Sequence, residues 1–143
     1  MPSALTRAAT FGAAGDLAAR SVPCTIATAE PVERFGELEV LDLSRADLGR
    51  QPLPLLEGHD ASKTNIGQIR DIKIEGDRMT GRAVFGRSAR AEELLRDVQD
   101  RVVTGLSLGY RHLDEGRPIR LPDGRAARAY AFEALECSVV SVP

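Results

Sequence analysis

The chain is poor in cysteine, histidine and aromatic residues. Its 143 residues include two Cys, two His, four Phe, two Tyr and no Trp. The two cysteines, Cys24 and Cys137, lie far apart without the spacing of metal ligands, so we expect two buried free thiols in a reducing compartment. Because there is no cluster of Cys and His, we predict neither a metal site nor a cofactor.

Neither sign of charge dominates the sequence. There are 19 Lys and Arg residues against 21 Asp and Glu residues, mixed along the chain, for a net charge of -2. A basic patch that could hold nucleic acid is therefore not expected. No apolar run approaches the roughly 18 residues that span a bilayer, and the first residues lack the apolar segment of a signal peptide. We expect neither nucleic acid nor a membrane as a partner.

The length suits one domain with one core. Residues 1–21 are rich in Ala, Gly, Ser and Thr, which predicts a mobile N-terminal arm. Residues 22–143 are predicted to form a single domain. Since aromatic residues are scarce, its core must consist mainly of Leu, Val, Ile and Ala.

Period-two alternation predicts several strands. It occurs in residues 37–43, and residues 24–28 are of the β-forming type. Residues 66–74 and 79–85 predict a hairpin around a Glu-Gly-Asp turn. Pro52 and Pro54 cannot donate to a central ladder, so this segment predicts either an edge strand or an extended entry into Leu55 and Leu56.

From Ser88 onward, the spacing of apolar residues changes from the period of a strand to that of a helix. Ser88 can cap a helix that runs to Val103, with one apolar face that includes Val102, and Gly105 is predicted to end it in a left-handed conformation. Strands follow over residues 106–113 and 130–142. Seven or eight strands with one helix predict a mainly β fold, a partly closed antiparallel β-barrel flanked by helical structure.

Ser107 lies in the segment Gly-Leu-Ser-Leu-Gly-Tyr. The G-x-S-x-G pattern matches the hydrolase nucleophile elbow, but that elbow has a strand before the serine and a helix after it, the reverse of the predicted order. His112 is five residues away, so on one strand it faces the opposite side. By itself, a serine between apolar residues on a glycine-flanked strand is more typical of a core or turn serine than of a nucleophile.

His59 is then the remaining base for Ser107, although its local sequence also suits a surface loop. Glu136 shares a strand face with Ser138, on which a carboxylate needs a partner. That partner could be an arginine, such as Arg111 or Arg128, or it could be His59, whose second ring nitrogen a carboxylate would orient.

Three blocks together resemble the prohead maturation proteases of tailed bacteriophages. They are LLEGHD at 55–60, GLSLGY at 105–110 and LECSVVSVP at 135–143. The resemblance covers about residues 22–143. It implies a serine endopeptidase with the barrel fold of the herpesvirus assemblin proteases, in which Ser107 is the nucleophile, His59 the base and Glu136 the third member.

The resemblance also implies a setting and partners. Such enzymes act inside the immature capsid in the bacterial host, where they cut scaffold protein, the scaffold-like arm of the major capsid protein, or themselves. The herpesvirus enzymes work as dimers, which makes a homodimer one expectation. Backbone amides around Gly109, Tyr110 and Arg111 are candidates for stabilising an oxyanion, while Arg111 could equally form an ion pair with an acid.

Two other functions remain open from the sequence. One is a capsid-assembly or scaffold-binding module without catalysis, which uses the same barrel to bind its partners. The other is a general hydrolase or esterase, against which the order of helix and strand argues.

Overall fold

The structure is a computed structural model that describes residues 4–12 and 15–143. Over these residues it has ten strands and one helix. In chain order the elements are β1 (Leu5–Phe11), β2 (Ser21–Thr28), β3 (Val32–Arg34), β4 (Glu37–Asp47), β5 (Leu53–Glu57), β6 (Gly67–Glu75), β7 (Arg78–Phe85), α1 (Ala89–Gln99), β8 (Gly105–His112), β9 (Arg117–Arg120) and β10 (Ala126–Val140).

Seven strands close into a barrel in the order β10-β5-β6-β7-β2-β1-β8, and β8 pairs with β10 to complete the ring. The prediction of a mainly β barrel is confirmed, and the closure is complete. Most neighbours are antiparallel, but β10 runs parallel to both β4 and β5. Strands β3, β4 and β9 extend the sheet beside the first half of β10.

Alternation along each strand builds the core. In β1 the odd-numbered residues Arg7, Ala9 and Phe11 are buried, whereas the even-numbered residues between them are exposed. Aliphatic side chains from all seven barrel strands fill the interior, together with one face of α1. A second, small apolar cluster forms between β4, β9 and the first residues of β10.

The N-terminal segment differs from its prediction. Leu5–Phe11 is not a mobile arm, because it forms β1 in the barrel wall, between β2 and β8. Residues 1–3 and 13–14 of the predicted arm lie outside the described residues. The prediction of one domain over 22–143 therefore leaves out a strand that the barrel needs.

The helix begins where the sequence predicts and ends earlier. The Ser88 hydroxyl accepts a hydrogen bond from the Ala91 amide at 3.1 Å, which satisfies a free donor of the first turn. The helix ends at Gln99, so Val102 lies outside it and is exposed. No helix of the described segments is long and apolar enough to cross a membrane.

Gly105 does not end the helix in a left-handed conformation; it is the first residue of β8. Its lack of a side chain serves a different purpose. A Cβ on Gly105 would overlap the carbonyl group of Val140 on β10. The glycine therefore permits close approach of the two strands that complete the barrel.

Of the two alternatives predicted for the segment around Pro52 and Pro54, the edge strand is wrong. Strand β5 lies inside the ring, between β10 and β6. Its ladder with β10 begins only at Leu55. Pro54 has no amide hydrogen, but it precedes the residues of β5 that pair with β10. The ladder between β5 and β10 therefore loses no donor.

Candidate functional site

The three blocks singled out in the sequence meet on adjacent strands. Ser107 on β8 lies directly opposite Ser138 on β10, and Ser138 also lies in register with Leu56 on β5. The chain leaves β5 after Glu57 and reaches His59 within two residues. The order β5-β10-β8 therefore brings together residues that are about 30 to 80 positions apart.

His59, Glu136 and Ser138 form one hydrogen-bonded cluster, which we call the His59 cluster. Nδ1 of His59 donates to the Glu136 carboxylate. The Ser138 hydroxyl donates to the other carboxylate oxygen at 2.8 Å and accepts from the backbone amide of His59 at 2.9 Å. Glu136 thus has His59 as its partner rather than an arginine, and the cluster ties the β5–β6 loop to β10.

The backbone turn after β5 explains the position of the imidazole. Gly58 and His59 both have positive φ, at 61° and 58°. The Gly58 amide donates to the Val139 carbonyl at 2.9 Å, which holds the turn against β10. A left-handed conformation is uncommon for a residue with a side chain, and here two hydrogen bonds to β10 offset its cost.

Ser107 has a different partner. Its side chain is only 4% exposed, and its hydroxyl donates to the backbone carbonyl of Arg7 on β1 at 3.2 Å. Within the described segments, it makes no hydrogen bond with His59. The predicted pair of nucleophile and base is therefore not formed, and the hydroxyl helps to join β8 to β1.

The predicted oxyanion donors also have other roles. Gly109 and Tyr110 pair with both β1 and β10, and Arg111 pairs with β10, so their backbone lies in the ladders of the barrel. Arg111 forms an ion pair with Glu133, directly opposite on β10. A hydrogen bond from Arg111 lowers the pKa of the Glu133 carboxyl, and Arg50 adds to the effect.

Gly109 has a local purpose on the same face. It lies opposite Glu136, and a Cβ at this position would overlap the Glu136 carboxylate. The glycine leaves room for that side chain to turn toward His59. The sequence signal for the His59 cluster was the pair Glu136 and Ser138. Residues two positions apart lie on the same face of a strand, so these two polar side chains were expected to lie together.

A second polar cluster was not found from the sequence. The Glu39 cluster lies at one end of the barrel and is centred on a carboxylate that is 3% exposed. Glu39 accepts from the Tyr110 hydroxyl and from Nε2 of His112, both at 2.6 Å, and pairs with Nε of Arg7 at 3.1 Å and Nε of Arg34 at 3.5 Å. Because its members come from four different strands, no local sequence motif predicts this cluster.

Burial raises the pKa values of Tyr110 in the Glu39 cluster and of the two cysteine thiols. Burial raises the pKa of the Tyr110 hydroxyl, and the adjacent Glu39 carboxylate adds to the shift, so this hydroxyl stays protonated and donates. Cys24 and Cys137 are buried and free. Burial raises the pKa of Cys24 to about 12 and that of Cys137 well above its ordinary value. Neither thiol is poised to react as a thiolate.

Comparison with known proteins gives one informative match. Over 124 residues the chain is 36% identical to the major capsid protein of Halomonas phage phiHAP-1. The chain is similar to part of a phage capsid protein. The match covers 81% of the chain but 21% of the relative, so the chain spans about a fifth of that protein's length. No family model matches the chain, and no solved structure matches it.

This match corrects the predicted activity. The prediction of a serine protease is wrong, since the matched relative is a structural capsid protein and points to a non-enzyme. The relation to a phage capsid protein holds, whereas membership of a protease family is not shown.

Proposed function

We propose that this chain is a capsid-assembly module of a tailed phage that binds capsid or scaffold protein without catalysis. The observation that carries the proposal is the 36% identity with a phage major capsid protein over most of the chain. The identity extends over 124 residues rather than over a short motif. Similarity of this extent suits a structural or binding role, because such a role depends on surfaces spread over much of the chain.

The polar residues of the site support a structural role. The His59 cluster joins the β5–β6 loop to β10, and the Ser107 hydroxyl joins β8 to β1. The Glu39 cluster joins four strands at one end of the barrel. In each case polar groups from different parts of the barrel bond one another, which supports a role in holding the fold together.

The proposal includes a setting and partners. The module would act inside the immature capsid in the bacterial host, in contact with capsid or scaffold chains. Self-association as a homodimer belongs to the same proposal, because capsid components assemble through repeated contacts between copies.

Co-expression with the capsid protein encoded by the same phage tests this function. We expect the chain to co-sediment with assembled shells in a sucrose gradient. The Ser107→Ala variant should co-sediment to the same extent, because binding needs no reaction at this hydroxyl. Its free energy of unfolding should fall by about 1 kcal/mol, since one buried hydrogen bond to the Arg7 carbonyl is lost.

Two results would contradict the proposal. One is the formation of shells from which the unsubstituted chain is absent. The other is a Ser107→Ala variant that remains folded by circular dichroism and no longer supports assembly. A Ser62→Ala variant, altered in an exposed loop hydroxyl that bonds only Asp60, serves as the matched control.

A further inference from the structure

The hairpin between β3 and β4 ends in an exposed phenylalanine. Arg34 pairs with Glu37, so the turn between the strands consists of two residues, Phe35 and Gly36. The Phe35 side chain is 92% exposed, the largest exposed fraction among the large apolar side chains of the described residues. A Cβ on Gly36 would have no neighbour within 4 Å, so this turn projects away from the rest of the fold. The Phe35 ring therefore adds little to the core.

The backbone of this turn is unfavourable for phenylalanine. Both residues have positive φ, at 53° for Phe35 and 80° for Gly36. Two-residue turns of this kind favour Asn or Gly at the first position, and a bulky side chain with positive φ is an outlier. Phe35 thus combines an exposed apolar ring with a strained backbone, and neither feature stabilises the isolated chain. A strained residue that the fold does not need indicates a contact outside the chain.

A cleft of about 380 Å³ lies beside the hairpin, and we call it the hairpin cleft. Its apolar lining comes from Leu38 on β4, Pro118 on β9, and Ala126 and Ala127 on β10. Leu38 and Ala127 belong to the small apolar cluster that is separate from the main core. The volume lies within the range of pockets that hold small ligands, so the cleft has room for an aromatic ring.

Phe35 also borders a smaller cleft of about 250 Å³, which opens on the Glu39 cluster. Its lining includes Arg34, Glu39 and His112. An inserted ring would separate the polar atoms of these side chains from water and give them no new partner, which is unfavourable. The hairpin cleft is therefore the better recess for an apolar anchor.

Charged residues divide the rim of the hairpin cleft into two halves. Glu33 and Glu37 lie on the hairpin side and Arg128 on the β10 side, where the exposed Arg120, paired with Ala126, extends the basic half. The side chains of Glu37 and Arg128 lie 3.8 Å apart and are 61% and 33% exposed, so both remain open to further charges. A twofold rotation places the acidic half of each copy over the basic half of the other. The rim is therefore complementary in charge to a copy of itself.

We propose that this face binds a second copy of the chain through a twofold contact, in which Phe35 of each copy enters the hairpin cleft of the other. The anchor and the recess lie side by side on one chain, as such a contact requires, since each copy must supply both. The two rings form the apolar centre of the contact, and the charged halves form its polar rim. The inference rests on the proposed function, of which self-association is one part, and it names the surface.

Sedimentation velocity over a concentration series tests the contact. The unsubstituted chain should form a dimer, and Phe35→Asn should weaken that dimer by at least about 100-fold, because twofold symmetry removes two buried rings at once. Val102→Asn is the matched control, since it removes another apolar side chain that is 73% exposed. This control should dimerise as the unsubstituted chain does.

Thermal unfolding separates a binding role of Phe35 from a structural one. Asn suits the left-handed conformation of the turn. At concentrations where the chain is monomeric, Phe35→Asn should therefore unfold at the same temperature as the unsubstituted chain or at a higher one. A lower unfolding temperature would show that the ring stabilises the fold of the single chain, and it would overturn the proposal.

Photo-crosslinking locates the recess. The variant Phe35→p-benzoylphenylalanine is mixed with isotope-labelled unsubstituted chain and irradiated. Mass spectrometry should find crosslinks between the unlabelled and labelled copies, at Pro118 and at residues 126–128 of the labelled copy. Crosslinks that lie elsewhere on the second copy would rule out the hairpin cleft as the recess.

Two further results would overturn the twofold contact. One is a chain that stays monomeric up to about 1 mM, a concentration at which even a weak contact is occupied. The other is a Phe35→Asn variant that dimerises as tightly as the unsubstituted chain. The two proposals fail separately. A chain that joins shells but stays monomeric overturns the twofold contact and leaves the capsid function standing, whereas a chain that dimerises through Phe35 and never joins shells overturns the capsid function alone.

Discussion

Replacing Glu39 with Gln should lower the free energy of unfolding by about 3–5 kcal/mol, the cost of leaving a buried charge without its counter-charge. Glutamine has nearly the same shape, so the change removes the charge without creating a large cavity. Arg7 would lose its carboxylate partner at 3.1 Å in a region where both side chains are almost fully buried. The hydrogen bonds from Tyr110 and His112 would also weaken, because an amide offers one acceptor instead of two.

Urea denaturation followed by circular dichroism measures this effect. The matched control is Glu37→Gln on the same strand, whose side chain is mostly exposed and lies 3.8 Å from Arg128. Because exposed ion pairs contribute little, the control should unfold at nearly the urea concentration of the unsubstituted chain. A Glu39→Gln variant that is as stable as the control would show that the cluster does not hold this end of the barrel.

A double variant refines the test. Arg7→Met together with Glu39→Gln removes both members of the buried ion pair, so no unpaired charge remains between them. We expect the double variant to lose less stability than the sum of the two single variants, which is the signature of direct coupling. Additive losses would mean that the two side chains act independently.

The second large effect is expected at Gly105. An alanine there would place its Cβ on the carbonyl group of Val140, and that carbonyl belongs to the strand that completes the barrel. Neither strand can move freely, since β8 is also paired with β1 and β10 with β5. We therefore expect Gly105→Ala to cost at least about 1–3 kcal/mol, the usual range for overpacking.

Thermal unfolding of Gly105→Ala and Gly49→Ala provides the comparison. Gly49 is exposed, and its nearest contact is a side-chain oxygen of Asp47 at 3.1 Å, which can move away. The Gly49 variant should unfold within a few degrees of the unsubstituted chain, while the Gly105 variant should unfold well below it. Equal midpoints for the two variants would mean that β8 and β10 can separate at little cost.

The two polar clusters show how far sequence reasoning reaches. Glu136 and Ser138 were placed on one strand face from their spacing, and the structure has them hydrogen-bonded to each other. The partner of Glu136 could not be chosen between an arginine and His59, because that choice depends on which strands are neighbours. The hydrogen-bond partner of Ser107 could not be predicted for a similar reason, since its acceptor, the Arg7 carbonyl, lies 100 residues away in sequence.

Strand β1 illustrates the limit most clearly. Its inward positions read Arg7, Ala9 and Phe11, and an arginine at an inward position hides the alternation that predicts a strand. Arg7 is tolerated there because Glu39, 32 residues later, supplies a buried carboxylate and a backbone carbonyl. A pattern that depends on a distant counter-charge cannot be read from a local window.

The amino-acid sequence alone determined the features that depend on residues close together in the chain. They are the hairpin of β6 and β7, the Ser88 cap of α1 and the shared strand face of Glu136 and Ser138. Tertiary structure alone decided the strand order, the closure of β8 on β10, and the partners of Ser107 and Glu39. The physical reason is that side-chain period and capping are set within a few residues, whereas a strand's backbone donors and acceptors are satisfied only by other strands. Those strands are selected by packing of the whole core.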